Sequence, residues 1–290
     1  MDYEEISWQL LPNPRRPEER TIGLLTLNRP EQLNALTPTM RLELDALFGE
    51  LRHNGQVRVV VITGAGRAFS TGGDLKSEAQ VLLDGGEGLG LSGPYKKMVA
   101  YYLNDVRHIF LQRMVRRLED LPQVTIAAVN GWAVGAGLEM CAACDLRLAS
   151  EQANFSEVAV SAGFETEAGG ARNLVKLLGK GRALDLLLTG RRVTASEAER
   201  IGLVDRLLPP DGFLDAVLDY AGEIAAKPYL SVRHAKDLVR YYWLQDRSDE
   251  GWQRELDAII EITRTRDVQE GSRAFLGKRE PRYRGPNYDE

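Results

Sequence analysis

Two short apolar runs, Val57 to Thr63 and Val124 to Val129, constrain the fold of this chain more than any other feature. Neither alternates polar with apolar residues, so each reads as a strand buried on both faces, the habit of a parallel sheet. Thr21 to Asn28 reads as a strand as well. Between it and Val57 lies a helix that starts at Thr37-Pro38, where Thr caps and Pro suits the first turn. Met40, Leu44, Leu47, Phe48 and Leu51 fall on one face of that helix, and Asn54-Gly55 stops it. Strand, helix, strand in this order implies an α/β fold, a parallel sheet with crossover helices. Leu146 to Ala149 is expected to add a fourth parallel strand, Leu203 to Leu207 another, and Ile6 to Leu11 an N-terminal one.

Each of the two apolar runs ends in a loop of small residues. After Val129, Asn130-Gly131 breaks the strand, and Trp132-Ala133-Val134-Gly135-Ala136-Gly137 reads as a loop leading into a helix at Leu138-Glu139. Small residues allow backbone to approach a ligand closely, and free N–H groups at a helix start stabilise negative charge. After Thr63, Gly64 to Lys76 forms the second loop. Ligands of parallel sheets bind beyond the carboxyl ends of the strands, so both loops can line one cleft. Two amides converging on one carbonyl oxygen stabilise an enolate far better than one; losing one costs about 3 kcal/mol. A carboxylate, Glu139, follows one turn into the helix.

The remaining chain narrows the partners. A net charge of −5 among 290 residues gives no support for nucleic acid, which needs clustered Lys and Arg. No apolar run approaches the ~20 residues that span a bilayer, and no secretory signal is visible, so a cytoplasmic protein without a membrane partner is expected. Cys141 and Cys144 sit amid small residues of a helix and read as packing rather than a redox or metal pair. Residues 85–94 are rich in Gly and read as a rim over a pocket. Tyr95 to Leu118 reads as one long helix carrying Tyr101, Tyr102 and His108. Phe155 is expected to begin a loop and short helix. Thr194 and Glu197 have a capping-box pattern. Pro209-Pro210 divides residues 1–208, the core domain, from a helical region at 209–290. The apolar surface of that tail, with Trp243 and Trp252, is expected to pack on its own domain or a second subunit.

The residues also carry a resemblance. The motifs are Leu27 to Leu36 (Leu-Asn-Arg-Pro-Glu-Gln-Leu-Asn-Ala-Leu), Val61-Ile62-Thr63-Gly64, Ala68 to Leu75, Ala128 to Asp145, Thr189-Gly190 with Ala195 to Val204, and Phe275 to Arg279. In this order, over residues 20–280, they resemble the crotonase, or enoyl-CoA hydratase/isomerase, superfamily. The resemblance implies a spiral of ββα units with a helical C-terminal trimerisation region, and a homotrimer or homohexamer. It implies acyl-CoA substrates and no separate cofactor, coenzyme A entering as part of the substrate. By motif position, the amides of Gly73 and Ala136 form the oxyanion hole. Ala68, Ser70, Gly72, Asp74 and Leu75 line the CoA path, and Lys76 and Lys278 lie near CoA phosphates.

The same resemblance implies two glutamates in a hydratase. The first matches Glu139. The second position holds Ala159, so two-carboxylate hydration cannot be carried over unaltered. Replacement acids stand nearby: Glu157, Glu165, and Glu167, which matches the aspartate position of dienoyl-CoA isomerases. The leading expectation is an enoyl-CoA hydratase-like enzyme with Glu139 as acid or base. A dienoyl-CoA isomerase using Glu139 and Glu167, a ring-opening C–C hydrolase of a cyclic acyl-CoA, and a non-catalytic acyl-CoA-binding trimer are the alternatives.

Overall fold

A computed structural model describes residues 3–74, 107–162, 166, 168–244, 266, 267, 270, 274 and 278–283. The apolar runs become strands of a six-stranded sheet: β1 (Ile6–Asn13), β2 (Arg16–Leu27), β3 (Val59–Gly64), β5 (Val124–Val129), β7 (Leu146–Ser150) and β10 (Arg206–Leu208), adjacent in that order. All pairs are parallel except the β1–β2 hairpin. A second sheet of four very short strands runs β4 (Ala68–Ser70), β6 (Trp132–Val134), β8 (Asn154–Ser156) and β9 (Val193–Thr194). Its first three strands are parallel to one another.

The two sheets are built by one repeated unit. β3 enters the first sheet, β4 the second, and helix α2 (Arg107–Glu119) follows; β5, β6 and α3 (Ala136–Ala143) repeat the pattern. β7 and β8 repeat it again, leading through a 3-10 turn (Ala159–Ala162) to α4 (Gly170–Leu178). The crotonase-type spiral of ββα units is therefore present. Helix α1 (Pro38–Leu51) is capped as expected, with Met40 N–H donating to Thr37 Oγ1 at 3.1 Å.

Residues of the large sheet alternate between two cores. Ile22, Leu24, Val59, Val61, Val124 and Ile126 face Phe213, Val217, Ala221 and Ala225 of α7 (Phe213–Ala225), so part of the C-terminal tail packs on this sheet. Leu25, Leu27, Val60, Ile62, Ala127 and Val129 face the other way, toward α1, α2 and α3. Strands buried on both faces explain why the sequence runs showed no alternation.

Several sequence expectations need correction. Residues 132–134 are a strand rather than loop, and the helix begins at Ala136 rather than Leu138. Phe155 lies in the middle of β8, and residues 68–70 of the second loop form β4. Each segment is only three residues long, too short to show a period; pairing with distant neighbours makes it a strand. Leu203 and Val204 are not strand residues. After α5 (Lys180–Thr189), β9 and α6 (Ala195–Ile201), Gly202 turns the chain at φ 85°, and both N–H groups return to Ala198 O. They are apolar because they plug the core behind this helix end. Both Cys141 and Cys144 are buried and unbridged, and burial pushes the Cys144 thiol up to about 12, in keeping with a packing role. No helix among the described residues is long and apolar enough to cross a membrane.

Candidate active site

The loop after β4 is held from below by the stretch that links β2 to α1. Leu36 N–H donates to Gly72 O at 2.7 Å, Asp74 N–H to Leu36 O at 3.4 Å, and Thr71 N–H to Leu33 O at 3.1 Å. These bonds make Leu36 and Gly73 a parallel bridge. In parallel pairing the middle residue turns its own amide away from its partner, so Gly73 N–H points away from Leu36. Asn34 Nδ2 donates to Ala65 O and Ala68 O at 2.9 and 2.8 Å, fixing the turn before β4. Asn130, at the end of β5, clamps the same turn from the other side through Gly64 and Gly66. Ser70 Oγ donates to Asn34 O at 2.8 Å and accepts from Gly72 N–H at 3.2 Å. Arg29 joins Asp74 to Glu5, each at 3.2 Å. Arg29, Asn34 and Asn130, which belong to the motifs and, at Asn130, break a strand, also fix this loop.

The second loop is pressed against the first. β4 and β6 pair directly, Ala68 with Trp132 and Ser70 with Ala133. A side chain at Gly137 would meet Ser70 O at 2.4 Å, and one at Gly72 would meet Val134 O at 2.6 Å and Ala136 N at 3.0 Å. Glycine is therefore required at both, and Gly72 also has φ +84°. Gly135 turns the chain at φ 52°, ψ −127°, a glycine conformation, immediately before the helix. Ala136 is the first residue of α3, so its N–H has no acceptor within the helix. Gly73 and Ala136 are partly exposed, while Gly72 and Gly137 beside them are buried.

Glu139 lies one turn into α3 with only 2% of its surface exposed. Its Oε2 accepts from Ala168 N–H at 2.5 Å, and its Cγ lies 2.9 Å from where a Gly170 side chain would begin. The carboxyl is thus seated on the turn that starts α4. Ala159, at the head of the 3-10 turn, is partly exposed. Glu157, two residues earlier, is 1% exposed, and its Oε1 lies 3.9 Å from the position a Gly135 Cβ would occupy. Neither of its oxygens has a hydrogen-bond partner among the described residues. Burial raises its pKa to about 8; the charge of Glu139 adds to the rise, and the Ala159 amide opposes it from outside hydrogen-bond geometry. A buried acid beside the helix start was not visible in the spacing, because burial there comes from loops packing together.

Of the other expected site residues, Ala68 and Ser70 are buried in β4 and Asp74 faces Arg29. Lys278 is exposed in a turn with φ 48°. Leu75, Lys76, Glu165, Glu167, the 85–94 segment, Tyr101 and Tyr102 lie outside the described residues. Trp132 stands under Arg192, whose guanidinium carbon is 5.2 Å from the ring centre.

Comparison with known proteins agrees with this architecture. The chain is 32% identical over 267 residues to the 2,3-dehydroadipyl-CoA hydratase of Escherichia coli, covering 92% of this chain and 96% of that protein. It is 31% identical over 263 residues to the short-chain-enoyl-CoA hydratase of Clostridium acetobutylicum, covering 90% and 94%. The crystal structure of an enoyl-CoA hydratase from Bacillus anthracis superposes with a TM-score of 0.81 at 32% identity, covering 97% of this chain and 99% of that one. Residues 17–286 match the enoyl-CoA hydratase/isomerase family, and with two abutting loops on a ββα spiral of the same kind, the chain belongs to that family.

Proposed function

We propose that this protein hydrates an enoyl-CoA thioester. In this reading the amides of Gly73 and Ala136 bind the thioester oxygen, and negative charge moves onto that oxygen as water adds to the β-carbon. Glu139 holds the water and takes its proton. The observation that carries the reading is the contact between the two loops: a side chain at Gly72 would stand 3.0 Å from Ala136 N, and Glu139 follows one turn into the same helix. The hydratase names of relatives at about a third identity support the same reaction class. We take the working form to be a cytoplasmic homotrimer or homohexamer assembled through the helical C-terminal region, with Lys278 and Lys76 beside the CoA phosphates.

The reaction class is tested by running turnover in heavy-oxygen water with enoyl-CoA substrates of graded length. Hydration predicts one labelled oxygen on the β-carbon of a 3-hydroxyacyl product. A rearranged double bond without label would instead mark isomerisation, and label in a new carboxylate would mark C–C hydrolysis. Binding of an acyl-CoA with no product at all would mark a binding protein.

A further inference from the structure

We propose that Glu157 is the second proton carrier of this site, supplying from position 157 the carboxyl that Ala159 lacks. The proposal rests on the hydratase reading above. Glu157 stands two residues before Ala159, in the short link between the end of β8 at Ser156 and the 3-10 turn that begins at Ala159. Glu157 directly follows β8, the neighbour of β6 in the small sheet, and its carboxyl reaches the Gly135 turn that introduces the Ala136 amide. The carboxyl is buried, and neither oxygen is satisfied by a hydrogen bond among the described residues. A structural carboxylate in such a place would be paired, because an isolated buried charge is costly. The one charged side chain acting on it, among the described residues, is Glu139. Two buried carboxyls whose charges act on one another do not both ionise readily, and one proton shared between them gives an acid and a base. The rise of Glu157 to about 8 makes it the protonated member at neutral pH.

The step balances with these two groups. The oxygen of water bonds to the β-carbon while one of its protons passes to the Glu139 carboxylate. The π pair of the double bond moves onto the thioester oxygen, giving an enolate. The enolate pair then returns to take the Glu157 proton at the α-carbon. Product is the 3-hydroxyacyl thioester, and transfer of the proton from Glu139 to Glu157 restores the pair.

The test uses the full-length protein with Glu157→Gln, which keeps shape and removes the titrating proton. Expected is a loss of about 10²-fold or more in kcat with acyl-CoA binding unchanged. The wild-type profile should fall on the alkaline side above about 8, as Glu157 loses its proton, and the variant's residual activity should lack that limb. Adding Ala159→Glu to Glu157→Gln should restore turnover from the neighbouring position. Near wild-type kcat with the alkaline limb intact would overturn the proposal, and would do so most plainly if Glu167→Gln then abolished turnover. Loss of activity together with loss of ligand binding, or no rescue by Ala159→Glu, would assign Glu157 to structure and equally overturn it. A wild-type protein that neither binds acyl-CoA nor hydrates enoyl-CoA would instead defeat the hydratase reading itself.

Discussion

Replacing Glu139 by Gln is expected to lower kcat by about 10²–10⁴-fold while leaving acyl-CoA affinity within a few-fold of wild type. The size follows from the place of this carboxyl. It is buried at the first turn of α3, and one oxygen already accepts from Ala168 N–H at 2.5 Å. The amide oxygen of Gln can keep that bond, and its methylenes can keep the contact with Gly170, so the turn stays seated. What Gln cannot do is receive a proton from water. Steady-state turnover, set beside binding of a nonreactive acyl-CoA, separates these roles. Turnover near wild type would remove Glu139 from the chemistry; loss of binding and turnover together would make it a structural acid.

Gly72→Ala is expected to have the second large effect, through geometry rather than proton transfer. At φ +84° an L-residue is strained by about 1–2 kcal/mol. The added methyl would also stand 2.6 Å from Val134 O and 3.0 Å from Ala136 N. The backbone it meets has little room to retreat, because β6 is hydrogen-bonded on both sides, to β4 and β8. The loops should therefore part, and the Ala136 amide should leave its position. Loss of one oxyanion donor costs about 10²–10³-fold in kcat. A lowered melting temperature should accompany it. Gly181→Ala is the matched control: nothing lies within 4 Å of a side chain there, so its turnover and melting should stay close to wild type. Equal activity in the two variants would show that the contact between the loops is not used.

The large parallel sheet was legible because its strands are buried on both faces, which leaves unbroken apolar runs such as 124–129. The Thr37 cap was legible because capping is local chemistry. The small sheet was not, since β4, β6 and β8 are three residues each and exist through pairing between segments far apart in sequence. For the site, motif position pointed to Glu139 and to both loops, and the fold brings those loops into contact. It gave no sense of what Arg29, Asn34 and Asn130 do, because their hydrogen bonds run to backbone carbonyls up to 66 residues away. In the sequence Glu157 stands out only as an acid near Ala159. Its burial, and its lack of a hydrogen-bond partner among the described residues, depend on how β8 meets the Gly135 turn.

The central claim is that one thioester oxygen is held by two main-chain amides. A crystal structure with a nonreactive acyl-CoA bound tests it most directly. The account predicts that oxygen within about 2.7–3.1 Å of both Gly73 N and Ala136 N, with the Glu139 carboxyl facing the α- and β-carbons. A thioester oxygen lying out of reach of either amide, with Glu139 turned from the acyl chain, would contradict it.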